Sequence, residues 1–174
     1  MTGGYMPKLI LHDAYHFLTC STFERWPYLK SGECKNILYQ QILKASQKFN
    51  LNVLAYAILD DHYHLLFYLR NGLCRKKVVG QINGASSFFI NKIMRRNGRV
   101  WGNHWFRYGS SVQSVRLMAG YVAGNPLKHG LVKSFQELRN YRFSSYVAIV
   151  KRYGAESAEL LVSDVINLPL EIPR

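Results

Sequence analysis

Acidic residues are scarce in this 174-residue chain. Ten Asp and Glu stand against 23 Lys and Arg, giving a net charge of +13 and a pI near 9.8. The shortage is local as well as global. After Asp61 the next carboxylate is Glu137, and residues 62–136 carry twelve Lys or Arg with no Asp or Glu among them. Such a one-sign stretch repels cationic substrates and points to an anionic partner, nucleic acid first, bound in a strongly salt-dependent way. It also disfavours a zinc hydrolase, which usually needs a carboxylate base near its ligands. Cysteine is sparse too: Cys20, Cys34 and Cys74 are far apart and form no C-x-x-C pair, so a reducing, cytoplasmic setting is expected rather than a disulfide framework. No apolar run approaches the about eighteen residues of a membrane span, and Met1 to Leu11 lacks the apolar core of a signal peptide. G-x-x-x-x-G-K-[ST] is missing, which excludes a P-loop nucleotide site. Neither a membrane nor a nucleotide cofactor is expected as a partner.

What is present is a folded domain: hydrophobic residues make up 48% of the chain. Tyr15 to Phe23 alternates aromatic and polar residues and reads as a strand. Glu33 to Phe49 carries Ile37, Leu38, Ile42, Leu43 and Ala45 at helical spacing. Leu51 to Leu59 is nearly all apolar and reads as a central, buried strand. After a tight Asp60-Asp61 link, the stretch from His62 to Leu69 reads as its antiparallel hairpin partner. A long helix is expected over Arg75 to Asn97, burying Val78, Val79, Ile82, Ala85, Phe88, Phe89 and Ile93. Val100 to Tyr108 reads as a fourth strand, whose aromatics either enter the core or stack on unpaired bases. The order β-α-β-β-α-β is the ferredoxin-like arrangement of an α+β protein. It places the hairpin near the sheet centre and the helices on one face, and leaves the other face open for a ligand.

The chemistry centres on His62-Tyr63-His64. Side chains on a strand alternate, so both imidazoles project from one face, where they can hold one divalent metal, while Tyr63 points into the opposite core. Alone, the triplet is a weak signal and reads more simply as two histidines on the polar face of an edge strand. His16 reads as a strand residue without chemistry, and the simpler reading of His104 is the same, against a role as third ligand. Further on, Ser110 to Gly124 reads as a helix. Its Gly120 and Gly124 cost helix stability, about 1 kcal/mol each. Two uses fit: access of a polymer to Tyr121, or close helix packing. Asn125 lies four residues after Tyr121, on the same face if the helix continues. Pro126 disfavours that continuation, so Asn125 reads either as the N-cap of a new helix or as a ligand.

Three segments together, His62-Tyr63-His64, Tyr121 to Val132 (YVAGNPLKHGLV) and Tyr141 to Tyr146 (YRFSSY), resemble the REP-associated tyrosine transposases. These are relatives of the single-tyrosine insertion-sequence transposases in the HUH endonuclease superfamily. The family pattern often has Pro-Asn before the first histidine, where this chain has Asp60-Asp61. Asn125, rather than Gln, at four residues past the tyrosine is similar to the REP-associated branch. The resemblance spans roughly residues 15–150. It implies one domain over residues 1–153 with an added C-terminal catalytic helix, and a tail over 154–174.

The resemblance also implies a reaction: cleavage and rejoining of single-stranded DNA at hairpin-forming repeats. Tyr121 is the implied nucleophile, forming a 5′-phosphotyrosine. His62, His64 and Asn125 are the implied ligands of Mg²⁺ or Mn²⁺. Candidate DNA contacts are Arg70, Arg75, Lys76, Lys77, Arg95, Arg96, Arg99, Arg107, Arg116 and Lys128. The REP-associated branch implies a monomer and the insertion-sequence branch a site-sharing dimer. The competing expectation from another class is a ferredoxin-like nucleic-acid-binding module without cleavage activity.

Overall fold

The structure, a computed structural model, describes residues 14–70 and 74–168. Four strands, β1 (Ala14–Thr22), β2 (Asn52–Ile58), β3 (His62–Leu69) and β4 (Trp101–Gly109), form one antiparallel sheet in the order β2-β3-β1-β4. Helix α1 (Gly32–Phe49) links β1 to β2, and α2 (Arg75–Ile93) links β3 to β4. The order β-α-β-β-α-β is therefore the expected ferredoxin-like one. Four further helices follow: α3 (Val112–Lys128), α4 (Phe135–Asn140), α5 (Tyr146–Tyr153) and α6 (Ala155–Ser163). Among the described residues no helix is long and apolar enough to cross a membrane.

Local chemistry sets the element ends. The Ser31 hydroxyl accepts from the Cys34 N–H at 3.1 Å to cap α1, which ends on Asn50 in the left-handed region (φ 49°). Ser111 and Ser114 form a reciprocal capping box at the start of α3.

Three expectations need correction. First, the apolar β2 is an edge strand, not a central one. Its free edge is closed by the segment around Ser144: the Ile58 N–H donates to the Phe143 carbonyl (2.9 Å), the Ser145 N–H to the Tyr56 carbonyl (2.9 Å), and the Tyr56 N–H to Ser145 Oγ (3.0 Å). Tyr141 adds its hydroxyl to the Ile58 carbonyl at 2.7 Å. An edge covered in this way carries apolar residues without inviting association.

Second, the face opposite α1 and α2 is not open. Leu18, Tyr63, Leu65 and Phe67 pack with α1 and α2, whereas Phe17, Ala55, Ala57 and Leu66 pack under Val115, Met118, Tyr121 and Val122 of α3. The sheet is sandwiched between two helical layers. Third, Phe88 (64% exposed), Phe89 and Ile93 lie outside the core. The buried stripe of α2 is Val78, Val79, Ile82, Ser86 and Ile90. Ser86 is admitted because its hydroxyl is satisfied: it accepts from Trp101 Nε1 at 3.0 Å and donates to the Ile82 carbonyl at 2.7 Å.

The glycines of α3 serve packing. A Cβ on Gly120 would lie 2.7 Å from the Leu161 carbonyl oxygen, and one on Gly124 would lie 2.4 Å from a Val162 methyl. On this side of α3 the glycines make room for helix α6.

Candidate active site

The helix that carries Tyr121 runs on through Asn125-Pro126 to Lys128. Asn125 is therefore an interior helical residue, and the N-cap reading falls. The Pro126 carbonyl is put to use just past the helix end. Gly130 adopts φ 69°, its N–H donates to the Leu127 carbonyl, and the Leu131 N–H donates to the Pro126 carbonyl at 3.0 Å. This is a Schellman closure, which requires a left-handed residue where Gly130 stands. Tyr121, Asn125 and His129 thus stand four residues apart at the sheet-facing end of one helix.

Antiparallel register supplies the other half. His64 on β3 lies opposite Thr19 on β1, and His62 lies opposite Ser21. Both histidines face α3, and both are almost fully buried, 3% and 1% exposed. Their rings lie 4.9 Å apart between centroids, and the His129 ring lies 4.9 Å from His62. Tyr63, between them, points into the other core and donates its hydroxyl to Asn83 Oδ1 at 3.0 Å, as strand alternation requires.

Each imidazole is oriented from behind. His62 Nδ1 lies 2.6 Å from Asp61 Oδ1; a carboxylate can only accept, so the proton is on Nδ1 and Nε2 faces the site. Burial pushes the Asp61 carboxyl up, but the hydrogen bond and charge of His62, with Arg25 and His129, outweigh it and hold the carboxyl below its usual range. Arg25 Nε lies 3.5 Å from Asp61. His64 Nδ1 lies 2.9 Å from Thr19 Oγ1, and its Nε2 has no hydrogen-bond partner. Burial, reinforced by the nearby His62 and His129, holds His64 well below the ordinary imidazole range, so it is neutral.

Asn125 is 0% exposed, and neither its amide oxygen nor its amide nitrogen has a partner. It is near enough to His64 to oppose that shift, yet no hydrogen bond of good geometry forms between them. Buried polar atoms left unsatisfied are costly, at about 1–3 kcal/mol each. Here three of them, His64 Nε2 and both ends of the Asn125 amide, belong to neighbouring side chains. Among the described residues no cluster of three or more His, Cys, Asp or Glu is gathered to hold a metal. The available donor set is two imidazoles and an amide.

Tyr121 is 1% exposed, with its ring edge-on to Phe17 (6.1 Å) and His64 (5.9 Å). Its hydroxyl lies 3.2 Å from Lys128 Nζ, which also reaches the Leu168 carbonyl at 3.4 Å. An open cleft of about 840 Å³ adjoins the histidines, lined among others by Thr19, Arg25, Asp61, His62, His64, Arg99, Trp105 and His129. That size suits a small ligand or part of a polymer.

The ten basic candidates do not form one surface. Arg99 lines the cleft, its guanidinium 4.6 Å from the Phe23 ring centre, and Arg95 and Arg96 follow the end of α2 nearby. Arg96 stacks on Tyr28 at 4.4 Å. Arg107 stands on β4 on the cleft side of the sheet, opposite Phe17, and Arg116 is exposed on α3. Lys128 stands at Tyr121. Arg70, Arg75, Lys76 and Lys77 sit at the far end of β3, seven residues from His62, about 23 Å along the strand. Arg75 is engaged there with Tyr108 and Phe106. His104 pairs with Cys20 and so faces away from His62 and His64.

The sequence reading missed His129, Arg25 and the Lys128–Tyr121 contact. Extending the Tyr121 helix to Gly130, a glycine in the usual position just past a helix end, would have placed His129 on the Tyr121–Asn125 face.

A protein-family model described as "Transposase IS200 like" matches residues 11–122. No curated protein matches. The fold is similar to that of a REP-associated tyrosine transposase solved bound to a REP hairpin, with a TM-score of 0.70 and 19% identity, over 86% of this chain and 87% of that one. It is also similar, with a TM-score of 0.48 and 17% identity over 67% of this chain and 92% of the other, to a Deinococcus radiodurans protein described as a candidate transposase. With the family match covering most of the chain and both histidines and Tyr121 inside it, the chain belongs to the IS200-like family of DNA transposases.

Proposed function

We propose that the protein is a metal-dependent endonuclease and strand transferase of single-stranded DNA, acting at hairpin-forming repeats through a 5′-phosphotyrosine. One observation carries this reading. His62, His64, Asn125 and Tyr121 converge at the junction of β3 and α3, and two ligand-type atoms there, His64 Nε2 and the Asn125 amide oxygen, are buried without partners. The donor set suits a divalent ion: His62 Nε2 and His64 Nε2 as neutral imidazole donors, with the Asn125 amide oxygen as a hard one. Mg²⁺ or Mn²⁺, when bound, would supply Lewis-acid polarisation of the scissile phosphate and neutralise charge on the leaving oxygen.

The chain's own residues perform the rest. Tyr121 Oη attacks phosphorus, the P–O3′ bond breaks, and a phosphotyrosine and a free 3′-hydroxyl result. The phenol loses its proton and the 3′-oxygen gains one. A free tyrosine titrates near 10, so the phenolate needs support, and the Lys128 ammonium stands 3.2 Å from the oxygen on which the charge develops. The bond energy is kept in the ester, so attack by another 3′-hydroxyl reseals the strand without ATP. Asp61 and Thr19 hold the two imidazoles in register. Arg99 and Arg25 are placed to meet phosphates at the cleft. Recognition of a hairpin is supported by the likeness to a transposase bound to one.

The test is a denaturing gel of protein mixed with labelled single-stranded DNA carrying hairpins from a repeat pool, with Mn²⁺ and with EDTA. A labelled adduct is expected, lost in EDTA, in Tyr121→Phe and in His64→Ala, while Tyr121→Phe still binds DNA. An adduct that survives Tyr121→Phe would remove the nucleophile. Tight binding with no adduct across the pool would make this a binding module.

A further inference from the structure

Trp105 is an indole on a rigid strand, kept out of the core. The three tryptophans differ in this respect. Trp101 is buried, with its Nε1 bonded to Ser86. Trp26 is in the turn after β1 and 61% exposed. Trp105 is in mid-strand on β4, 36% exposed, and lines the cleft that contains His62 and His64.

Its place follows from register. Thr19 pairs with His64 on one side and with Trp105 on the other. The row His64–Thr19–Trp105 therefore crosses the sheet on one face, the side from which His62 and His64 project. Two strand spacings of about 4.8 Å put the Trp105 backbone about 10 Å from that of His64. That is the reach of a neighbouring nucleotide from a phosphate held at the histidines. Helix α3 packs on the β1, β2 and β3 part of this face through Phe17, Ala55, Ala57 and Leu66, and the indole on β4 lies outside that cluster. The Trp105 side chain has no hydrogen bond and no ring contact among the described residues. An indole held at the mouth of a polar cleft forgoes burial but presents a π-face to solvent. Every base has a matching face, so such a surface binds single strands with little sequence preference.

We propose that Trp105 is the stacking platform for the base adjoining the cleaved phosphate, and so sets the path of the single strand through the cleft. This deepens the nuclease reading above and rests on it for the word "cleaved". The stacking itself can be tested separately.

The experiment follows intrinsic fluorescence and affinity in EDTA with two 12-mer probes, oligo-dT and a fully abasic strand of the same length and charge. Wild type is expected to bind oligo-dT with quenching, and Trp105→Ala to bind it roughly 5- to 150-fold more weakly. On the abasic strand the two proteins should bind equally. Trp105→Phe should restore most of the affinity while losing the quenching, and Trp26→Phe should keep both. Equal affinity of wild type and Trp105→Ala for oligo-dT overturns the proposal. So does quenching that follows Trp26 or protein concentration instead of DNA, and so does an equal loss on the abasic strand. Adduct gels separate the two readings. Trp105-dependent stacking with no adduct retains the platform and refutes the nuclease; adduct formation unaffected by Trp105→Ala retains the nuclease and refutes the platform.

Discussion

Replacing Gly120 or Gly124 by alanine tests how α3 is held over the sheet. In an isolated helix each change should help by about 1 kcal/mol, because glycine is the poorer helix former. Here the added carbon meets α6. At Gly120 it would lie 2.7 Å from the Leu161 carbonyl oxygen and 2.8 Å from Leu161 Cγ. At Gly124 it would lie 2.4 Å from Val162 Cγ1, with the next Val162 atoms at 3.3 Å. Overpacking of this kind costs about 1–3 kcal/mol. The two sites differ in what must give. A backbone carbonyl moves only with its whole helix, so Gly120→Ala should fall at the upper end, a net loss of about 2 kcal/mol after the propensity gain. The obstacle at Gly124 is one methyl of a stiff, β-branched side chain, and a net loss of about 1 kcal/mol is expected.

That difference makes the second site repairable. Val162→Ala alone removes buried methyls and should cost about 1–2 kcal/mol. In the double variant Gly124→Ala/Val162→Ala the new carbon occupies the vacated space. The pair should then be more stable than the sum of the singles by at least about 1 kcal/mol. Urea unfolding read by linear extrapolation measures all four corners of the cycle. If Gly120→Ala raises stability by about the 1 kcal/mol of intrinsic propensity, or the cycle closes with no coupling, α6 does not pack where these distances place it.

Other perturbations bear on the site and on the core. His16 is fully buried, and burial, with Arg75 adding, lowers it to about 4. The unfolded chain takes up that proton near 6.5, so the stability due to neutral His16 is complete above pH 6.5 and is lost as pH falls towards 4, by up to about 3 kcal/mol. The urea-derived stability of His16→Phe should therefore fall less between pH 7 and 4.5 than that of wild type; parallel pH curves would refute this. Asp61→Asn leaves the turn in place but removes the charge behind His62, so Mn²⁺ affinity by calorimetry should drop about 10- to 100-fold. An unchanged affinity would mean that His62 is not a ligand. Lys128→Met should slow adduct formation at least about ten-fold, while the log–log salt slope of single-strand binding changes by no more than about 0.7. A normal rate would refute its role at the phenol.

Much of the site was legible because it depends on short periods. Strand alternation alone puts His62 and His64 on one face and Tyr63 on the other, and helix periodicity places Asn125 beside Tyr121 once the helix runs on past Pro126. What escaped depends on contacts distant in sequence. The apolarity of Leu51 to Leu59 suggested a strand flanked on both sides. The residues that complete it are Phe143 and Ser145, beyond the fourth strand, and no local signal announces them. Phe88 and Phe89 look like core in a helical pattern, but a hydroxyl satisfied by Trp101 lets Ser86 take the inward position. Pro126 looked like a break because the rule against α geometry before proline is sound for an isolated segment. In the folded chain the helix runs through Pro126 and ends in the Schellman closure at Gly130.

The departure at Asp60-Asp61 from the family's usual Pro-Asn is also explained by what surrounds it. Asp60 receives Lys35 Nζ at 2.5 Å, and Lys35 is almost fully buried on α1. Asp61 receives His62 and stands beside Arg25. The last two carboxylates before the long acid-free stretch are thus both committed, one to anchoring the hairpin on α1 and the other to fixing the tautomer of a candidate ligand. Matched charge lets these two acids stand beside a cleft that is to admit a polyanion, one balanced by Lys35 and the other by Arg25 and the His62 ring.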